Sequence, residues 1–326
     1  MNILASLLEL INPPPTDPRI ARALERIAGF VDPLLPATSG FEKRLTGPIQ
    51  HALDYCQGLV NALPGPVEVG HAQFAQNPLV HALFATAGDI DEMLGRSQEV
   101  RDFLRQPCAW ESDHFYALLS ARHEQKKQLG LARQGEMIRN DVAQTVLYFS
   151  AHVLVEPDCQ LENTLTRLRC KAFERLLDDF HAHIARLREQ RETLRSALTL
   201  ARSQQSMLLG SGHETAHTTA STEVAALDQQ LAEINNALMP ETQLQNLAAH
   251  LQNAEATLQP RPVSLYVDSL GVLQPDAAHD GQAISFTELK GRDGYLHLLI
   301  LARIARDEAR EAVAKVRDEQ QRLTIL

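Results

Sequence analysis

Aromatic residues make up only 5% of this 326-residue chain, and tryptophan occurs once. Leu and Ala are plentiful instead. Both have high helix propensity, and helices pack without large flat side chains, so the balance favours helix. Cysteine is also scarce. Cys56, Cys108, Cys159 and Cys170 are scattered, with no Cys-x-x-Cys pair, and in a chain this long they read as reduced thiols of a cytoplasmic protein. Basic runs are short: Lys126-Lys127 is the only Lys-Lys pair, and the net charge is -10. Nucleic acid is held largely by neutralising phosphates, so none is expected as a partner. No apolar run approaches the ~18–20 residues of a membrane span. The longest, near residues 295–302, is interrupted by His297. The first ten residues lack a positive start and carry Glu9, which argues against a secretory signal. Gly65, Gly70, Gly88 and Gly95 form neither a P-loop nor a dinucleotide fingerprint. No Gly-x-Ser-x-Gly elbow is present.

What is present is mostly helical pattern. Residues 1–106 read as short helices punctuated by proline. Asp17 can cap a helix that starts at Pro18, whose apolar positions Ile20, Ala23, Leu24 and Ile27 keep helical spacing. A further helix over about 40–63 is stopped by Pro64-Gly65-Pro66, and shorter ones begin near Asn77-Pro78 and Asp89.

The character changes at 113–156. Phe115-Tyr116-Ala117-Leu118-Leu119 and Thr145-Val146-Leu147-Tyr148-Phe149, continued by His152-Val153-Leu154-Val155, are rich in strand formers and predict two strands. Past Pro260-Arg261-Pro262, Val263, Leu265 and Val267 alternate with polar neighbours, and Ala283-Ile284-Ser285-Phe286 offers a partner. The nearly continuous apolar run after Gly291 and Gly294 favours a strand near 295–304.

Between these halves lies a long helical stretch, 157–259. Leu161, Leu165, Leu168, Leu176, Phe180, Ile184 and Leu187 step by multiples of three or four along its first arm. Leu227, Leu231, Ile234 and Leu238 do so along the second, and Leu247 and Leu251 resume the stripe after a break at Met239-Pro240. A stripe this narrow is a coiled-coil seam rather than a broad core face. A break at Gly210-Ser211-Gly212 folds the stretch into an antiparallel hairpin with arms on the order of 50–60 Å long.

The expected fold is therefore α+β, mainly helical. A helical region (1–106) precedes an antiparallel β-sheet body split in sequence (113–156 plus 262–304). A coiled-coil hairpin (157–259, flexible tip near 205–222) is inserted between its halves, and a charged helix (305–326) ends the chain.

One pentapeptide carries a chemical signature. His213-Glu214-Thr215-Ala216-His217 matches H-E-x-x-H, in which two imidazoles four residues apart on a helix bind Zn²⁺ and the Glu activates the bound water. Its surroundings oppose that use. Gly210-Ser211-Gly212 precedes it, a run of Thr and Ser follows, and no standard third ligand appears; Glu223 is merely the next carboxylate. Ser211-Gly212-His213-Glu214 also fits a capping box, which gives Glu214 a structural role.

Other candidates are weaker. His181 and His183 lie two apart beside Asp178-Asp179, with Cys170 and Glu174 within reach, but residues two apart on a helix face different ways. His71 and His81 read as satisfied histidines. Asp268, Asp276, Asp280, Glu288 and Asp293 read as turn residues. The leading expectation is an interaction or scaffold protein, not an enzyme, with no cofactor. Its coiled-coil arm would dock another protein or pair with its own copy. Two alternatives are a zinc hydrolase using His213, Glu214 and His217, and a β body with a non-local site drawn from residues such as His114, Arg122, Tyr148 and His152.

Overall fold

A computed structural model describes residues 17–134, 137–209, 214–275 and 281–324. Its elements begin with helices α1 (Pro18–Phe30) and α2 (Phe41–Asn61), strand β1 (Val67–Glu68), and helices α3 (His71–Gln76), α4 (Pro78–Leu83), α5 (Ala87–Arg96), α6 (Gln98–Phe103) and α7 (Cys108–Glu111). Strands β2 (His114–Gln134) and β3 (Met137–Asp158) follow, then helices α8 (Leu161–Leu209), α9 (Glu214–Ala237), α10 (Pro240–Gln252) and α11 (Ala254–Thr257). The chain closes with β4 (Arg261–Val267), β5 (Leu273–Gln274), β6 (Gln282–Lys290), β7 (Leu296–Ala305) and α12 (Arg306–Thr324). The α+β class is as expected. The chain divides into two compact units, one of residues up to 55 with 172–257, the other of 56–171 with 258–326.

The first unit is helical. Asp17 caps α1, accepting from the Arg19 N–H at 2.8 Å, with Pro18 in the first turn, where no hydrogen bond is lost. Ile20, Ala23 and Ile27 of α1, Leu45, Ile49 and Ala52 of α2, Leu176, Phe180 and Ile184 of α8, and Leu244, Leu247 and Leu251 of α10 are all buried. Ion pairs tie the unit together: Arg26 of α1 to Glu174 of α8 (2.6 Å), Arg44 of α2 to Glu241 of α10 (2.5 Å), and Arg188 of α8 to Asp32 in the loop after α1 (2.7 Å). Pro240 opens α10 with two residues between it and the end of α9, so the proline restarts the helix as the sequence predicts. The Gly210-Ser211-Gly212 break lies outside the described residues.

The second unit is built on the sheet, ordered β3-β2-β7-β6-β4-β5, with β1 paired in parallel to β7. The pairs along that order are antiparallel. The sheet curls until its two edges meet. The Leu147 N–H donates to the Gly271 carbonyl at 2.8 Å, and Val146 bridges Val272. Asp268 holds the turn that makes this closure, its carboxylate accepting from the Leu270 and Val272 N–H groups at 2.9 Å each. Gly271 sits there at φ +76°, and a Cβ on it would stand 3.0 Å from the Leu147 carbonyl oxygen, so both conformation and space call for glycine. Phe115, Leu119, Phe286, Ile300 and Ile304 on one face form a single core with Leu83, Ile90, Leu94 and Phe103 of the short helices and Ala309 of α12. On another side of the sheet, Leu299 and Leu301 pack with Val60, Leu63 and Leu168, and Leu161 and Leu165 join them.

The two strands expected at 113–156 are present, 21 and 22 residues long, and run well beyond the strand-forming segments that predicted them. β2 pairs with β7 only from His114 to Arg122. Beyond that it runs with β3 as a ribbon, pairing Lys126 with Val146, Lys127 with Thr145 and Gly130 with Val142. The register shifts three times, between Tyr116 and Leu118, Ser120 and Arg122, and Gly130 and Ala132, and each shift gives β3 one extra residue. Among the described residues, three non-glycine residues have positive φ: Glu156 (53°), Ala151 (52°) and Asp141 (63°), one at each shift. These are β-bulges, which bend and twist the strand that carries them.

Candidate functional site

Along the arm of the helical unit, α8 and α9 run antiparallel. Arg202 of α8 pairs with Asp228 of α9 at 2.9 Å, while Arg186, Glu189 and Leu194 share a groove of about 570 Å³ with Gln230, Glu233 and Ile234. The seam residues fall into three groups. Leu161, Leu165 and Leu168 lie on the part of α8 that packs with β7. Leu176, Phe180, Ile184, Leu247 and Leu251 are fully buried in the helical core. Leu187, Leu194, Leu227, Leu231, Ile234 and Leu238 stay half-buried. The same apolar stripe is thus enclosed where α1, α2 and α10 contribute; along the paired part of α8 and α9 Leu198 and Ala201 are still buried, while the six half-buried positions are left partly open. Leu200 (61% exposed) and Met207 (76% exposed) add apolar surface beside it.

His213 lies outside the described residues. Glu214 and His217 fall in the first turn of α9, and their side chains are outside the described set. Among the described residues, no group of three or more His, Cys, Asp or Glu side chains is placed to hold a metal ion. His181 rests against Phe30 (5.6 Å between ring centres) and His183 against Phe180 (6.5 Å), so they face different neighbours.

The scattered sheet residues each find separate partners. His114 meets the Tyr116 hydroxyl at 3.2 Å and accepts from Arg303 at 3.3 Å. Arg122 donates to Asp293 at 3.1 Å and covers the Tyr295 ring at 3.9 Å. Tyr148 and Ser150 donate to Glu124 at 2.8 and 2.7 Å, the Ser150 bond leading, and hold that carboxyl below its usual range. His152 donates to the Leu83 carbonyl at 2.7 Å and stacks on Phe84. Burial drives its pKa down, against the opposing effect of that hydrogen bond. Burial would raise Asp293, but hydrogen bonds from His297 and the Tyr295 N–H leave it lowered.

The turn reading of Glu288 is corrected. It lies within β6, 1% exposed, paired with His123 of β2 (6% exposed) and with Arg261 of β4. The His123 ring packs against Phe149 and Phe286. Its Nδ1 faces Glu288, and its Nε2 meets the Gln125 amide at 3.3 Å. Both ring nitrogens are engaged by protein groups, which makes this buried network a lock across three strands rather than a poised base. Nothing in the local sequence marks it, because His123 and Glu288 stand 165 positions apart.

No protein-family model matches the chain, and no curated protein or solved structure matches it either.

Proposed function

We propose that the chain is a protein–protein interaction module whose working surface is the α8–α9 arm, packed as an antiparallel coiled coil. The half-open seam carries this reading. Two helices enclose only the residues directly between them, and leucines on the flanks of a two-helix arm are covered only when another helix lies in the groove. Leu194 and Ile234 floor that groove, and Arg186, Glu189 and Glu233 rim it. An apolar floor with a charged rim is the surface an amphipathic helix recognises. Four free thiols suit a reducing compartment, so we place the module in the cytoplasm.

The test is a photo-crosslinking amino acid placed at Leu194 or Leu200 in the full chain, irradiated in the native cell. A discrete adduct of defined mass, lost when Leu231→Asp is added, is the expected result. No adduct from either position overturns the reading.

A further inference from the structure

We infer that the arm's partner is a second copy of this chain, an inference that rests on the interaction reading above. The two helices of the arm divide charge between them. From residue 186 to 209, α8 carries Arg186, Arg188, Arg191, Arg195 and Arg202 against only Glu189 and Glu192. In α9, Glu214, Glu223, Asp228 and Glu233 stand with no Lys or Arg at all. Internal pairing uses only part of this charge. Arg202 takes Asp228, Arg188 takes Asp32, and Arg191 and Arg195 take Glu192 of their own helix. Among the described residues no carboxylate pairs with Arg186, and no cation pairs with Glu223 or Glu233.

A second stripe, apolar at Ala197, Leu200 and Met207 and polar at the positions between, runs beside those charges. Gln190, Thr193, Ala197, Leu200, Gln204 and Met207 step by alternating three and four residues beside the internal seam. This is the spacing of a second seam, one position round the helix. On α9 the matching positions are Glu223, Ala226, Gln230, Glu233 and Ala237: two short alanines and an unbranched glutamine let a neighbouring helix approach, and the two carboxylates stand on the same line, facing the neighbour's arginines. Two arms laid side by side about a two-fold axis along their length put α8 of each copy against α9 of the other. Basic and acidic helices then alternate around a four-helix bundle, and Leu200 and Met207 turn inward. An unrelated partner would have to supply this same split of charge; a second copy already carries it.

The experiment is sedimentation equilibrium of the purified full chain at low salt, from about 1 to 100 µM, the range of moderate protein affinities. The expected mass is twice 36.2 kDa. Leu200→Glu with Met207→Glu should weaken association at least tenfold; both positions are exposed, and unchanged far-UV circular dichroism confirms the fold. A charge exchange makes the test specific. Arg186→Glu/Arg195→Glu and Glu223→Arg/Glu233→Arg should each associate poorly alone and restore the dimer when mixed. A monomer at every concentration, a dimer indifferent to Leu200→Glu/Met207→Glu, or failure of the mixture to restore pairing overturns the inference. A monomeric chain that still gives a crosslinked adduct with another protein removes the second copy and leaves the interaction reading standing. A monomer with no adduct removes both.

Discussion

Glu288 shows how much of a sheet can hang on one side chain that no motif announces. It accepts from His123 and Arg261 while almost wholly out of water. Removing Glu288 leaves the buried His123 without its partner, whereas Arg261, 69% exposed, can turn to water; breaking a buried pair costs about 3–5 kcal/mol. Glu288→Ala should therefore cost about 3 kcal/mol or more by urea denaturation, a size drawn from other buried pairs. Glu288→Gln, which keeps an acceptor, should cost less. Equal losses would show that the charge, not the hydrogen bonding, holds the strands. His152 gives a pH signature. Its folded pKa is depressed below the ordinary histidine value of 6.5, chiefly by burial, so its neutral form is favoured on folding. That contribution is present above 6.5 and fades as pH falls through the folded value, because the unfolded chain then binds more protons. Between pH 7 and 5, His152→Gln should flatten the fall in melting temperature, and an unchanged slope would assign the acid sensitivity to other groups. Residues like these were illegible beforehand because their partners come from distant strands. The Asp17 cap was legible because its partner is two residues away.

Among the elements, the helices were readable and the β2–β3 ribbon was not, for a reason in how each is solvated. A helix with one face on a core repeats its apolar residues every three or four positions, as Ile20, Ala23 and Ile27 do. A strand shows alternation only where one of its faces is buried. Near Arg122 β2 still has Ala121 in the core, but Gln125, Lys126, Lys127 and Gln128 are exposed, and alternation ends while the strand continues. The bulges are equally silent, since neither Ala151 nor Glu156 is a residue that favours a left-handed backbone. That gives them a measurable strain. Ala151→Gly should raise stability by about 0.5–1 kcal/mol, because glycine adopts positive φ without the Cβ penalty that outweighs its extra unfolded-chain entropy. Loss of stability instead would mean that the Ala151 methyl makes contacts worth more than the strain. The bulges also have a use. β3 lies at one end of the strand order, and kinks along an edge discourage pairing with another chain's strand.

For the whole molecule, the division into a helical unit and a sheet unit separates what should break together from what should not. Leu176 is fully buried in the helical unit, and Leu231 is half-buried on the arm. A buried carboxylate with no partner shifts the balance by several kcal/mol, whereas one on a half-open seam can still reach water. Leu176→Asp should thus melt the helical unit at a temperature well below the sheet unit, splitting the thermal transition in two, with the second step retaining the strand signal. Leu231→Asp should shift the transition by a few degrees at most, on the order of 1 kcal/mol, while abolishing the crosslink and the dimer. The contrast separates folding from assembly, because the two leucines belong to one stripe and differ in what covers them. If both substitutions unfold the chain alike, the outer seam is as much a core as the inner one, and the arm has no open face to offer a partner. If Leu231→Asp leaves stability, crosslink and dimer all intact, the seam is not the working surface, and association has to be sought on the sheet unit.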